Sequence, residues 1–437
     1  MRRFLLTAYG WAWFLALPSV IVLAALDRRL RSAMGLGVLP RTWRVTERLG
    51  RDRVHCGHIR PGRRFLWLHC ASLGEAKGMW ALALSLSETV PAAAGDFLLT
   101  VTTSAGLEFL DRQCAEHAAR PGAESADGGR FLALIAPLDH PGVVKRFLER
   151  HSALGLCLYE VELWPHFLAA CRKAGLPVAL LSGRLTERAA GTYRRLGGAG
   201  MFLLDGLAWI QAQSQQDLER FAGLTKAPLF LGFDFKAAHY LRLQNGQGDS
   251  DAPRTRFAFI SLHHAELLLL LPGLSTLMER FDLTVFPRKM EDVERFLAVL
   301  EPMGFRTYGS DPAGNHIVVD QMGLVGALLP RCHSAFVGGS LLPLGCHNLW
   351  EPLLAGAKVY FGASFHKQEA LARLVLDRGV GEILPDPARV GEIRLPPSGT
   401  QAACRRLSED LRKGLDSALL DGGRRIFATF YSEINKG

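Results

Sequence analysis

From residue 65 onward, short runs of consecutive apolar residues alternate with longer stretches of helical period. Runs at 65–69, 97–103, 131–136, 155–159, 178–182 and 207–213 have strand length and little polar alternation. Continuous apolar character means burial on both faces, as in a parallel sheet covered by helices. Stretches of helical period, such as 142–151 and 165–174, lie between these runs. A second series follows at 257–262, 283–287, 305–308, 317–320, 335–338 and 359–362. Between the two series, residues 236–255 contain NGQGDSDAP, and this crowding of Gly, Asn, Asp, Ser and Pro reads as a linker. The pattern predicts two Rossmann-like α/β domains of similar size joined there. A last helix, from about 405 to 435, is expected to pack back on the first domain. Ligands of open α/β sheets bind beyond the carboxyl ends of strands. Chemistry is therefore expected just after the runs, in a cleft between the domains.

The first 64 residues break this pattern. Residues 4–26 are 23 consecutive positions without a charge, enough to span a bilayer, and include Trp11 and Trp13. This run is too long for the core of a signal peptide, so residues 1–30 read as an uncleaved membrane anchor. Residues 28–64 then carry eleven arginines against only Glu47 and Asp52, a local excess equal to the +9 of the whole chain. Nucleic-acid binders usually spread basic residues over a face, often with interleaved aromatics, so nucleic acid is not the expected partner. A basic collar beside an apolar segment suits anionic membrane lipids and places the following domain on the cytoplasmic side. A merely solubilising stretch is the plainer alternative.

With 437 residues, 49% hydrophobic and 21% charged, the chain is neither a disordered tail, a collagen-like fibre nor a short disulfide scaffold. Its eight cysteines form no C-x-x-C pair and suit reduced, buried thiols.

Polar residues do gather after the apolar runs. Ser72-Leu73-Gly74-Glu75 follows the first, where the glutamate can complement a helix dipole or act as a general base on a hydroxyl. Thr102-Thr103-Ser104 follows the second and can hold an anionic group or simply cap a helix. Glu160 and Glu162, next to Trp164-Pro165, follow the fourth; buried carboxylates are costly unless paired or used. Arg184 and Arg188, after the fifth run, are candidate partners in a structural ion-pair network. The second series carries Gly338-Gly339-Ser340, where glycines permit close backbone approach by a phosphate or sugar, and His347-Asn348-Leu349-Trp350-Glu351-Pro352. No G-x-G-x-x-G opens the first domain and no P-loop lysine is present, which argues against a dinucleotide oxidoreductase or a P-loop NTPase. His263-His264-Ala265-Glu266 lacks metalloprotease spacing.

Taken in order, these motifs resemble the bacterial 3-deoxy-D-manno-octulosonic acid (Kdo) transferase family, from about residue 35 to 381. The family's S-x-G-E is matched by Ser72, Gly74 and Glu75, and its E-x-E-L-W-P by Glu160, Glu162, Leu163, Trp164 and Pro165. Its A-R-L-S-E-R run is matched by residues 183–188, V-G-G-S by Val337–Ser340, and H-N-x-x-E-P by His347–Pro352. Four stretches depart from it: Ser261–Leu267 for S-T-H-x-G-E-E, Lys289 for the histidine of P-R-H, Gly232–Lys236 for G-N-L-K-F-D, and Met322–Val325 for M-G-E-L. All lie in or beside the donor half.

The resemblance implies a GT-B fold, two Rossmann-like domains facing a cleft, with an N-terminal membrane anchor helix. It assigns residues 31–235 to acceptor binding and 236–437 to nucleotide-sugar donor binding. The implied reaction is inverting transfer of Kdo from CMP-Kdo to a phosphorylated, acylated lipid A precursor in lipopolysaccharide core synthesis, without cofactor or metal, at the bacterial inner membrane. Glu75 would be the base, and Ser72, Gly74, Thr103, Glu160, Glu162 and Arg184 would line the acceptor side. Arg288, Gly338, Gly339, Ser340, His347, Asn348 and Glu351 would bind the donor, Glu351 at the ribose. Main-chain N–H groups after Gly338–Ser340 would face the phosphate. A GT-B transferase for another activated sugar, or a non-catalytic membrane-tethered paralogue, are the alternatives.

Overall fold

The computed structural model describes residues 44–49, 63–89, 95–119, 130–238 and 256–431. The apolar segment 4–26 and most of the arginine-rich stretch lie outside the described residues. Among the described residues no helix is long and apolar enough to cross a membrane. The chain divides into two compact units, residues 1–239 with 414–437, and residues 240–413.

The first unit is built on seven parallel strands: β1 (Phe65–Cys70), β2 (Asp96–Val101), β3 (Phe131–Ile135), β4 (Ala153–Tyr159), β5 (Val178–Gly183), β6 (Trp209–Ala212) and β7 (Leu229–Leu231). Their order is β3-β2-β1-β4-β5-β6-β7. The first six coincide with the continuous apolar runs, and all are buried along their length. β7 is absent from the sequence reading because a partly exposed edge strand of three residues has no run to mark it. Helices α1 (Leu73–Thr89), α2 (Ser104–Ala118), α3 (Pro141–Arg150) and α4 (Pro165–Lys173) follow the first four strands. Prolines open α3 and α4, at positions where a missing N–H costs nothing.

Trp67 on β1 centres the core, with the rings of Phe147 on α3 and Phe167 on α4 at 4.9 and 5.0 Å. Its indole N–H donates to Thr100 Oγ1 at 2.8 Å, so the aromatic surface is buried without stranding a polar atom. β1 pairs with β2 on one side and with β4 on the other. The connections therefore reverse direction between the carboxyl ends of β1 and β4, which makes that edge the place for a ligand.

The second unit repeats the plan with β8 (Arg256–Leu262), β9 (Asp282–Pro287), β10 (Arg306–Thr307), β11 (His316–Val318), β12 (Cys332–Val337), β13 (Lys358–Phe361) and β14 (Gly381–Ile383), ordered β10-β11-β9-β8-β12-β13-β14. Here the reversal falls between β8 and β12. Helix α5 (His264–Met278) follows β8 and the short α6 (Trp350–Leu354) precedes β13. The seven cysteines among the described residues are free and buried.

The last helix, α7 (Thr400–Phe430), ends on the first sheet. Trp209 Nε1 donates to Thr429 Oγ1 at 2.9 Å, and the Arg425 guanidinium lies 3.3 Å from the centre of the Phe230 ring. Phe430 packs on Gly155 of β4 so closely that a Cβ there would lie 2.2 Å from the ring and 2.8 Å from the Pro177 carbonyl oxygen. Gly155→Ala should therefore destabilise the protein by about 1–3 kcal/mol, the usual cost of overpacking. The measurement is a lowered urea midpoint with an unchanged slope.

Candidate active site

In the first unit the carboxyl edge of β1 turns into α1 through Ser72. The Ser72 hydroxyl donates to Glu75 Oε1 at 2.7 Å, and the Ala71 N–H donates to Glu75 Oε2 at 2.8 Å. Glu75 thus closes the first turn of its helix and is buried. Its helix-terminal role is realised, and its oxygens are fixed at the strand reversal. Gly74 is exposed, and a Cβ there would have only the Ser72 hydroxyl near, at 4.0 Å. The glycine that packing demands is Gly78, where a Cβ would lie 2.5 Å from the Tyr159 hydroxyl and 2.9 Å from Lys236 N.

Beside Glu75, the end of β4 leaves the regular strand conformation, with Glu160 at φ +56°. Ser182 at the end of β5 does the same, at φ +50°. Non-glycine residues rarely occupy this region, and such strain persists only where the surroundings impose it. The Ser182 hydroxyl donates to Phe233 O at 3.2 Å and accepts from Phe235 N at 3.4 Å. It thereby draws residues 233–236 onto the strand ends. Asp234 accepts from Lys236 N at 2.9 Å, and the Lys236 ammonium pairs with the Glu160 carboxylate. Burial opposes the lysine's charge, but Glu160 and Asp234 outweigh it and hold its pKa above the ordinary value.

Glu162 accepts from the Trp164 indole N–H at 2.9 Å. Desolvation, then the negative charges of Glu75 and Glu160, push its carboxyl up to about 7. Desolvation chiefly also raises Asp234 to about 6, against the pull of Lys236 and the more distant Arg184. Burial and neighbouring negative charge therefore favour the protonated forms of Glu162 and Asp234. Such a group can accept a proton from a hydroxyl and pass it along. Thr103 stands apart: it is exposed and caps α2, accepting from Gly106 N at 3.3 Å.

In the second unit the loop after β12 is organised by Glu266, in the first turn of α5. Its carboxylate accepts from Gly339 N at 2.7 Å, from Ser340 N and Leu341 N at 3.0 Å each, and from His263 N at 3.2 Å. This corrects the expectation that these N–H groups face a phosphate, because an internal carboxylate takes them. The Ser340 hydroxyl is likewise committed, donating to Val337 O at 2.6 Å and accepting from Gly362 N at 2.8 Å. A Cβ at Gly338 would lie 2.4 Å from Ser261 O, and Gly339 has φ +73°. The glycine pair is thus demanded by strand-end packing.

Beyond this knot stand a histidine pair, Arg288, Lys367, Asn348 and Glu351. His263 and His347 face each other with Nε2 atoms 2.8 Å apart and rings stacked at 5.0 Å. Desolvation, with the positive charges of Arg288, His263 and Lys367, lowers His347 to about 4. Arg288 is exposed just after β9. Asn348 Oδ1 accepts from Trp350 N, at the start of α6, at 3.0 Å. Its Nδ2 is buried with no hydrogen-bond partner among the described residues. Glu351 stands half-buried in the first turn of α6. This edge suits an anion recognised by side chains.

Sequence reasoning therefore missed Asp234, Lys236, Glu266 and Lys367. Lys236 opens the expected linker but belongs to the first unit, and its sequence signal is its place in the Gly232–Lys236 stretch set against G-N-L-K-F-D.

The family model for 3-deoxy-D-manno-octulosonic-acid transferase (kdotransferase) matches residues 43–232, nearly the whole first sheet and its edge. Over 342 residues the chain is 29% identical to the 3-deoxy-D-manno-octulosonic acid transferase of Bordetella pertussis, covering 74% of this chain and 76% of that one. It is 26% identical over 324 residues to the transferase of the same name from Aquifex aeolicus, covering 72% and 81%. The first unit matches the Kdo transferase family model, and the chain is similar to such transferases over about three quarters of its length. Among solved structures, Os79 from O. sativa, crystallised with UDP and deoxynivalenol-3-glucoside, matches with a TM-score of 0.50 at 13% identity, covering 83% of this chain and all of that one, a likeness of fold alone.

Two changes test the electrostatics of these two strand edges. The raised carboxyl of Glu162 binds its proton more tightly folded than unfolded. Its ionisation thus costs stability as pH rises from about 4.5 through about 7. Glu162→Gln should raise the urea midpoint at pH 8 and leave it unchanged at pH 4. Glu266→Ala strands four main-chain donors, and a loss of at least ~2 kcal/mol is expected from the same denaturation experiment.

Proposed function

We propose that this protein transfers Kdo from CMP-Kdo to a lipid A precursor with inversion at the sugar carbon. In this reading the first unit binds the acceptor and the second the donor. The observation that carries it is the position of Glu75 at the strand reversal of the family-matched unit, its oxygens fixed by Ser72 and Ala71 and beside Glu162.

Glu75 takes the proton from the acceptor hydroxyl as the new glycosidic bond forms. Glu162, whose carboxyl titrates near neutrality, accepts the proton next and returns the base to its charged state. Lys236 holds Glu160 and keeps the carboxylates apart from one another's charge. Ser72 and Gly74 leave the approach to Glu75 open, and Arg184 meets the acid group of the sugar.

On the donor side, the departing CMP gains phosphate charge as the bond to the sugar breaks. Arg288 and Lys367 meet that charge, with the His263–His347 pair as hydrogen-bond donor. The Glu266 knot holds Gly338, Gly339 and Ser340 rigid behind them. Glu351 holds the ribose hydroxyls, and Asn348 Nδ2 has a bond left to make to the donor. The apolar segment 4–26 and the arginines that follow support a site at the inner membrane, with both units cytoplasmic and anionic lipids as neighbours.

The test is an assay with membrane-extracted protein, lipid A precursor and CMP-Kdo generated in situ, read by mass spectrometry. A product heavier by one or more Kdo units is expected. Glu75→Gln should lower kcat by roughly 10²–10⁴ with the donor KM unchanged, while Glu351→Ala should raise the donor KM. Acceptor binding without transfer would sink the choice of donor, and a full-rate Glu75→Gln enzyme would sink the base.

A further inference from the structure

Outside the strand-end sites, the first unit carries a groove with a volume of about 670 Å³ between α3 and α4. Leu148, Ala170 and Leu176 form its floor, half-buried against the core of the unit. Small side chains along it, Gly142 and Ala169 among them, keep the helices from interdigitating and leave a channel. The channel runs along the ten-residue α3, about 15 Å at the usual helical rise. Lys145 and Lys173 stand on its rim, and the acidic Glu149 there is itself paired with Lys145 at 3.5 Å.

Two observations select the occupant. The walls are apolar while the rim is basic, which fits a hydrocarbon chain on an anionic molecule better than a sugar or a nucleotide. The groove's upper end, at Pro141 and His166, adjoins the carboxyl edge of the sheet, because α4 begins directly after Glu160, Glu162 and Trp164. That end is held firm: Asp139 accepts from His166 N at 3.2 Å and from Phe167 N at 2.9 Å. A chain lying in the groove therefore has its head beside the carboxylates.

We propose that the groove between α3 and α4 binds one acyl chain of the anionic lipid acceptor, and that this contact makes the enzyme select acylated over deacylated acceptors. The proposal rests on the reaction argued above and adds a chain-recognition site to it.

Dodecyl phosphate serves as a probe independent of turnover. It should bind the wild-type protein, with affinity falling about fourfold per methylene removed from its chain. Ala169→Phe, which fills the groove, should weaken its binding at least tenfold. Lys145→Ala, an exposed change with no demand on the core, should weaken it severalfold. In the transfer assay both variants should raise KM for the acylated acceptor and leave KM for its deacylated headgroup, and kcat, unchanged. Equal binding of dodecyl phosphate to wild type and Ala169→Phe overturns the proposal, as does an equal rise in KM for both acceptors. Loss of binding to phosphatidylglycerol vesicles with an unchanged acceptor KM also overturns it, assigning the groove to the bilayer instead. Absence of Kdo transfer by the wild-type protein with probe binding as expected refutes the assigned reaction and not the groove.

Discussion

A parallel sheet that winds in both directions from its first strand leaves two neighbouring strand ends whose chains depart opposite ways. No ladder hydrogen bond continues past that point, so its main-chain N–H groups need another acceptor or they are buried at a cost of about 1–3 kcal/mol each. Both units meet this demand with a glutamate in the first turn of the next helix. Glu75 takes the Ala71 N–H and Glu266 takes four N–H groups from two strand ends. The strained backbone at Glu160, Ser182, Ser261 and Cys346 gathers around these same positions.

The two glutamates differ in what they leave over. Glu266 is fully buried and its acceptor capacity is spent on N–H groups, so it acts as a structural anion. Glu75 accepts one N–H and one hydroxyl, which leaves lone pairs for a proton. The neighbours sharpen the contrast. Carboxyl groups crowd the first unit's edge around Lys236, whereas the second unit's edge has Arg288, Lys367 and a histidine pair in which His347 is held towards neutrality. In the proposed reaction one edge takes up a proton and the other receives an anion.

Much of this was legible in the sequence, for definite reasons. A strand buried on both faces has to be continuously apolar, so β1–β6 could be read directly, whereas the three-residue edge strands β7 and β14 could not. Glu75, Glu160 and Glu162 stood out because a carboxylate following an apolar run is expensive to bury without use. Glu266 did not, since three of the four amides it serves lie 73–75 residues away and no local pattern announces them. Lys236 was hidden by its position at the start of a linker-like composition. Its placement depends on the Ser182 hydroxyl, 51 residues upstream of Phe233.

The glycine-rich turn after β12 shows how one pattern carries two meanings. Gly338-Gly339-Ser340 after a strand is what a phosphate-binding backbone looks like, and the same residues are what close packing of two strand ends requires. The carboxylate of Glu266 decides between them, since an anion already occupies the amides. In the proposed reaction, recognition of the donor's charge falls to side chains: Arg288, Lys367 and the histidine pair. Side chains can be exchanged without disturbing the turn behind them. The architecture of this edge therefore rests on Glu266 and not on the identity of those side chains.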